Sequence, residues 1–388
     1  MPDGSEAAVI KVLGSIDEVD ADQWDACAGT NDPFICHAFL KSLEDSGSVA
    51  PDTGWTPRHL ILEDETGNLA ACAPVYQKSH SYGEYVFDWA WADAYARAGG
   101  RYYPKLLCAV PFTPVGGKRL LIRPDLPEGS QRELKSTLVS GMVALAERSG
   151  FSSLHINFTN VDDGKICGGL GLLQRSGRQF HWLNKNYGDF DAFLTALSSR
   201  KRKAIRKERR KVDDSGVDIR CLTGAEIEER HWDAFYRFYR NTSDRKWGEA
   251  YLNRAFFRLL GERMAERVLL VIAENDGEIV GGALNMIGED ALYGRYWGCG
   301  EHFRFLHFEV CYYQAIEYAI GHGLKRVEAG AQGEHKLSRG YMPHATYSAH
   351  WIADPGFRDA VARFLVEETD AIDDEIDILV TYTPFRRG

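Results

Sequence analysis

Two short stretches of the sequence hold the residue types that move protons and hold anions. In the first, His307 and Glu309 stand where an apolar-periodic segment begins. A carboxylate at the start of a helix is kept ionised by the helix dipole. It can take a proton from an attacking amine, or it can do no more than stabilise the helix; residue type leaves both readings open. The second stretch runs Glu328-Ala329-Gly330-Ala331-Gln332-Gly333-Glu334-His335-Lys336 and on through Arg339-Gly340-Tyr341. Here a strand passes into small residues and then into charge. Glu328 or His335 suits a base, while Lys336 and Arg339 suit a phosphate or carboxylate. The plain alternative is a solvated surface loop. Cys299 and Cys311 are candidate nucleophiles, but Cys311 falls on the buried stripe of its helix and no histidine is fixed near Cys299 by spacing.

These residues need elements to position them. Phe308, Cys311, Tyr312, Ala315, Ile316, Ala319 and Ile320 follow the 3, 4, 7 spacing of a helix buried on one face, ended by Gly321 and Gly323. Lys325–Ala329 is the next strand. Upstream, the segments 58–70 and 267–280 each read as strand, acidic Gly turn, strand, the hairpin signal. Their turn glycines, Gly67 and Gly277, are 210 positions apart, and Trp24 and Trp232 stand in matching contexts 208 apart. Tyr82-Gly83-Glu84-Tyr85 and Tyr293-Gly294-Arg295-Tyr296 form a third match at 211, and Phe180-His181-Trp182 echoes Ala349-His350-Trp351 at 169. The pattern predicts an internal duplication, with an insertion in the first half over Ala94–Arg123. The expected domains are 1–185 and 186–388, each α+β with mixed α/β layers. No Gly-rich turn follows the first strand of either half, which excludes a doubly wound nucleotide fold.

Composition narrows the function classes. A formal net charge of −10 disfavours a general nucleic-acid binder. Against that background Arg200–Lys211 is a concentrated basic run, read as a solvated helix or as a dock for an acidic membrane surface, an acyl carrier protein or, less readily, tRNA. Tyr82 to Tyr103 is dense in aromatics, which serve as core or as the lining of a substrate channel. His302, His307, Glu309, His335, His344 and His350 are abundant metal-ligand types, yet none shows a compact metal spacing, so no metal is expected. The eight cysteines are dispersed, as in a reducing compartment. Met1–Val9 has no leader pattern, and no apolar run approaches bilayer length. The expected location is cytoplasmic, with the inner membrane surface as a peripheral site.

The order of elements resembles the GNAT acyltransferase fold, and its tandem arrangement is similar to the FemAB-like branch. The specific segments are His80–Asp88, Tyr102-Tyr103-Pro104-Lys105, Pro111–Pro114, His307-Phe308-Glu309, Tyr312–Gln314 and Glu328–Tyr341. Some relatives resemble bacterial ceramide synthases. The resemblance implies two tandem GNAT-like domains, the first shaping substrate and the second catalytic. It implies transfer of an acyl group from acyl-CoA or another acyl thioester to an amine, a long-chain sphingoid amine included, with no permanently bound cofactor. The catalytic candidates are Glu309, His307, Glu328 and His335. The substrate-binding candidates are Tyr82, Tyr103, Lys105, Arg295, Trp297, Gln332, Lys336, Arg339 and Tyr341. Where the usual GNAT turn has spaced glycines to cradle the donor's phosphates, this chain has Gly298-Cys299-Gly300 followed by aromatics and histidines. The alternatives are an aminoacyl-tRNA-dependent aminoacyltransferase of the peptidoglycan type, or a non-catalytic module binding cell wall or lipid. The expected picture is one active site, mostly in the second half and walled by the first.

Overall fold

A computed structural model describes residues 9–246, 250–301 and 303–386. Most of the segment read for a leader, and His302, lie outside the described residues. The strands are β1 (Ile10–Leu13), β2 (Trp55–Pro57), β3 (His59–Glu63), β4 (Leu69–Ala73), β5 (Val75–Lys78), β6 (Lys105–Cys108), β7 (Leu121–Ile122), β8 (Ser153–Thr159), β9 (Leu173–Leu183), β10 (Asp218–Leu222), β11 (Val268–Asn275), β12 (Glu278–Ile287), β13 (Ala291–Cys299), β14 (Arg326–Glu328) and β15 (Met342–Ile352). The helices are α1 (Ala21–Ala28), α2 (His37–Asp45), α3 (Trp89–Arg97), α4 (Glu128–Arg148), α5 (Val161–Gly169), α6 (Phe190–Ala196), α7 (Ser199–Asp213), α8 (Glu229–Lys246), α9 (Arg254–Met264), α10 (Leu306–Phe308), α11 (Gln314–Gly321) and α12 (Pro355–Thr381).

The chain forms two compact units, 1–177 with 346–371 and 178–345 with 372–388. The expected single cut near residue 185 is thus replaced by three crossings. The reason lies in β9 and β15, which are each 11 residues long and occupy equivalent positions in the two sequence halves. β9 pairs with β14 of the second unit, with Trp182 opposite Val327. β15 pairs with β8 of the first, with His350 opposite His155. Each sequence half therefore sends its last strand to cover a strand edge in the other unit, and an uncovered edge is a row of unmet hydrogen bonds.

Within the first unit, β1, β3, β4 and β7 form one sheet, and β2, β5, β6, β8 and β15 form strand-paired neighbours in another. Pro74 stands between β4 and β5 and has no N–H to continue a ladder, so the two segments join different sheets. The counterpart β12 carries Leu284 at this point and runs unbroken through both roles, pairing β11 and β13. The two hairpin turns match in detail. Gly67 and Gly277 both take left-handed backbone, at φ 82° and 81°, which a side chain would resist.

The third sequence match does not survive. Tyr82–Tyr85 lies in a loop, whereas Tyr293–Tyr296 lies in β13. The strand that takes the place of β13 in the first unit is β6, antiparallel to β5 and parallel to β8 beyond the crossover helix α4. The insertion accordingly begins at Ser79 and includes α3, ahead of the expected Ala94. The crossover helices follow the apolar periodicity. Leu138, Val139, Met142 and Ala146 of α4 are buried in the first core, and Val310, Ala315, Ile316 and Ala319 in the second.

Candidate active site

In the second unit, β13 and β14 run parallel, but they pair only from Ala291 opposite Arg326 to Tyr293 opposite Glu328. β13 continues to Cys299, while the chain beyond β14 turns to the opposite neighbour. The Ala329 N–H donates to Phe180 O, and the Phe180 N–H donates to Gly330 O, both at 3.1 Å. Gly330, at φ 73°, permits that departure. An opening is left past the carboxyl ends of two parallel strands, the place where sheets of this kind accept ligands.

Three segments border it. β13 contributes Arg295, whose guanidinium lies over the Tyr296 ring, and Trp297, 5.0 Å from the His307 ring. The second is the turn into α10, where Phe305 adopts left-handed backbone at φ 70°. α10 continues through one π-helical turn, Glu309–Tyr313, into α11. A π turn adds a residue to the helical register and is frequent at functional sites; here it lets consecutive Tyr312 and Tyr313 both be buried. The third segment is the 3-10 turn Glu334–Arg339.

The second and third segments meet at His335, and β13 joins them through the Trp297–His307 contact. The Tyr312 hydroxyl and His335 Nε2 are 2.9 Å apart, and the His307 and Phe308 rings lie 5.8 and 5.4 Å from the His335 ring. Burial lowers the His335 pKa, and the Arg339 and Lys336 cations lower it further, so the imidazole is neutral at pH 7. A neutral imidazole beside a phenol can accept a proton directly or through the hydroxyl. The Lys336 ammonium is buried and donates to Ala329 O and to Gly330 O, the latter at 3.1 Å. Burial pushes this lysine down to about 8. It thus holds the backbone where β14 ends and remains largely cationic at neutral pH.

Arg339 is a brace. It donates to the Tyr313 hydroxyl at 2.9 Å, to Glu208 at 2.7 Å and to His335 O at 2.8 Å. Its guanidinium lies 3.4 Å from the Phe308 ring centroid. Tyr341 is fully buried beneath Tyr312. Glu328 accepts from Arg326 at 2.9 Å and lies 3.6 Å from His181. His181 stacks on His344 and is held down at about 3, chiefly by burial, so it is neutral beside that carboxylate. Gln332 is exposed in the connecting loop.

Glu309 faces elsewhere. Its Oε1 accepts from Arg209 of α7 at 3.0 Å and from Gln314 at 2.8 Å. Its Oε2 is buried with no hydrogen-bond partner among the described residues. Burial raises its pKa, with Arg209 opposing. Its bonds run to Arg209 of α7 and to Gln314, and among the described residues none runs to His335, so the structure separates Glu309 from the His307–His335 group with which the sequence had joined it. Tyr312, Phe308 and Glu208 are the parts that sequence reasoning left out. Tyr312 was legible as a residue of the buried stripe and of a segment carrying the family resemblance, with no role of its own in the chemistry.

Tyr82, Tyr103 and Lys105 belong to the first unit. Tyr82 is exposed against His80 and Trp89. Lys105 has no exposure at all. It donates to Ser81 at 2.8 Å, to Glu84 at 2.7 Å and to Asp88, and Ser81 in turn bonds the Tyr103 hydroxyl at 2.8 Å. The Tyr102 hydroxyl donates to Asp88 at 2.7 Å and lies 3.1 Å from His155 Nε2, whose Nδ1 is 2.7 Å from His350 Nδ1. Burial pushes Glu84 up to about 7, whereas Lys105 and His155 hold Asp88 far below the carboxylate range despite its burial. His155 is driven to about 3, mainly by burial. This network fastens the insertion onto β6, β8 and β15. Ser81, Glu84, Asp88, Tyr102, His155 and His350 carried no spacing signal that could have gathered them.

Among the described residues, no group of three His, Cys, Asp or Glu could hold a metal ion, and no helix is long and apolar enough to cross a membrane.

The family model FemAB-like, described as peptidoglycan biosynthesis/recognition, matches residues 15–387. No curated protein matches. Among solved structures, FemX is 13% identical, over 91% of this chain and 100% of its own, at a TM-score of 0.55. The C-terminal domain of a putative lysylphosphatidylglycerol synthetase from Agrobacterium fabrum is 10% identical over 91% and 97%, at 0.56. The L-PGS structure from Bacillus licheniformis is 12% identical over 87% and 98%, at 0.50. At such identities the likeness is one of fold alone.

Proposed function

The chain belongs to the FemAB-like family, and on that premise we propose that it is an acyltransferase forming an amide on an amine acceptor at the β13–β14 opening. The observation that carries this reading is neutral His335 bonded to the Tyr312 hydroxyl beside that opening. Amide formation requires that the attacking amine lose a proton and that the acyl carbonyl be polarised in attack geometry. His335 takes the amine proton, directly or through Tyr312, as the C–N bond forms; the C–S bond of the thioester breaks, and the departing thiolate takes up a proton to leave as the thiol. Lys336 keeps the β14 exit in place, its charge favouring an anionic group of the donor, and Trp297 and His307 supply an aromatic wall of two rings tilted 39° to each other. Arg339 and Tyr341 position this set from behind, and Glu309 fastens α7 to the π turn.

The donor in this reading is acyl-CoA or another acyl thioester, used as co-substrate. A second reading, aminoacyl transfer from tRNA to a cell-wall peptide, draws support from the family's description as peptidoglycan biosynthesis/recognition. The synthetase among the similar structures is named for a lysylated lipid, which adds a lipid headgroup to the acceptors worth testing. The proposed location is the cytoplasm.

The test is mass spectrometry of products from purified protein given acyl-CoA with sphinganine, or aminoacyl-tRNA with a peptidoglycan precursor or phosphatidylglycerol. His335→Gln should lower turnover about 100-fold with binding retained, and Tyr312→Phe should lower it less. Transfer by the wild type that His335→Gln leaves unchanged removes the site assignment. Absence of transfer from every donor, in protein whose fold is intact, favours the binding module.

A further inference from the structure

The basic run forms α7, and its two sides differ. Ile205 and Val212 are buried in the second unit's core. On that side Arg209 bonds Glu309 and Glu317, Glu208 bonds Arg339 and Tyr313, and Lys201 donates to Ser338 at 2.8 Å. The inward face therefore holds the brace and the π turn of the candidate site. The outward face carries Arg200, Lys203, Lys207 and Arg210, all exposed. Their 3, 4, 3 spacing sets them in one stripe, about 15 Å long at the helical rise. None of the four has an ion pair among the described residues, whereas the flanking Arg206 and Lys211 are paired with Asp191 and Asp214. Four like charges so placed repel one another, in a chain that has enough acid to neutralise them: 56 Asp and Glu against 46 Lys and Arg.

We propose that this stripe docks an acidic helix of a small carrier protein that brings the acyl donor, a proposal resting on the transferase reading above. Three features favour that partner. A narrow, straight row of point charges is the complement of carboxylates repeated at i, i+3 and i+7 on another helix. The net charge of −10 repels a broad anionic surface such as a bilayer or a long duplex, while a ridge this small can be met by a partner of similar width. The outward face has no aromatic or large apolar residue, only Ala204 among its cations, so it offers nothing to stack on bases or to enter lipid. Docking there places the carrier against the helix whose other side holds Glu309 and Arg339.

The experiment compares wild type with Arg200→Glu/Lys203→Glu/Lys207→Glu/Arg210→Glu, its fold checked by circular dichroism. Binding is measured to palmitoyl-loaded acyl carrier protein, to unfractionated tRNA and to phosphatidylglycerol vesicles, at 50 and 300 mM NaCl. The expected result is carrier-protein binding that weakens at least tenfold in the variant and falls with salt. The inference is overturned by carrier binding that is absent or unmoved by the charge reversal, and equally by charge-dependent binding of tRNA or vesicles alone. Transfer from palmitoyl-CoA is assayed in parallel. Transfer intact without carrier binding removes the dock and leaves the transferase; carrier binding without any transfer does the reverse.

Discussion

Replacing Lys105 by methionine probes the buried network of the first unit most directly. The ammonium is the shared cation of two carboxylates, and Glu84 Oε1 and Asp88 Oδ1 already have no hydrogen-bond partner among the described residues. Removing it leaves two acids facing each other in a dry site. Breaking a buried pair in this way costs about 3–5 kcal/mol. In a unit of about 200 residues that lowers the melting temperature by about 6–20 °C, from about 2–4 °C per kcal/mol. The pH dependence sharpens the test. Glu84 is held at about 7, above its ordinary 4.5. The folded state therefore binds more protons than the unfolded state between those values, and this group's contribution to stability falls as pH rises through that window. Without Lys105 both acids shift upward, so the deficit of the variant should be smallest near pH 5 and grow toward pH 8. Adding Glu84→Gln should recover part of it. Calorimetry between pH 5 and 8 measures all of this. A loss below about 1 kcal/mol at pH 8, on the scale of exposed pairs, or a loss independent of pH, refutes the account of the network.

Three further outcomes are expected. The kcat/KM of the wild type should fall on the acid side below pH 6.5, as His335, its pKa lowered by burial and by Arg339, becomes protonated; in His335→Gln that limb should vanish from the pH profile. Arg209→Met leaves Glu309 buried without its cation and should destabilise the second unit by about 2 kcal/mol, more at pH 8 than at pH 5 because burial already raises this acid; equal melting shifts at both pH values would contradict it. Gly298→Ala sets a Cβ 2.5 Å from the Phe238 carbonyl oxygen, a backbone contact that cannot rotate away, and thermal melting should show a loss of about 1–3 kcal/mol.

Local signals gave the sequence its reach. The apolar periodicity of the helix ended by Gly321, the acidic glycine turns at Gly67 and Gly277, and the echo of Phe180-His181-Trp182 in Ala349-His350-Trp351 are all patterns within a few residues. So the tandem order, the family likeness and the concentration of polar groups between Glu328 and Arg339 could be read directly. The tyrosine match at 82 and 293 misled because two residues spaced alike need share no backbone partner, and the insertion's start was misplaced with it.

Only the tertiary structure decided the rest, since each decision is a pairing between distant segments. It determined that β9 closes on β14 and β15 on β8, which redraws the units. It brought Tyr312 to His335 through a π turn, a register change that no periodicity announces. It assigned Lys105 to Glu84 and Asp88 within the fold, because a buried cation must find its counter-charges wherever the chain has brought them. And it divided the basic run into an inward face bound to Glu309 and Arg339 and an outward stripe with no ion pair among the described residues, a distinction that charge along the sequence cannot express.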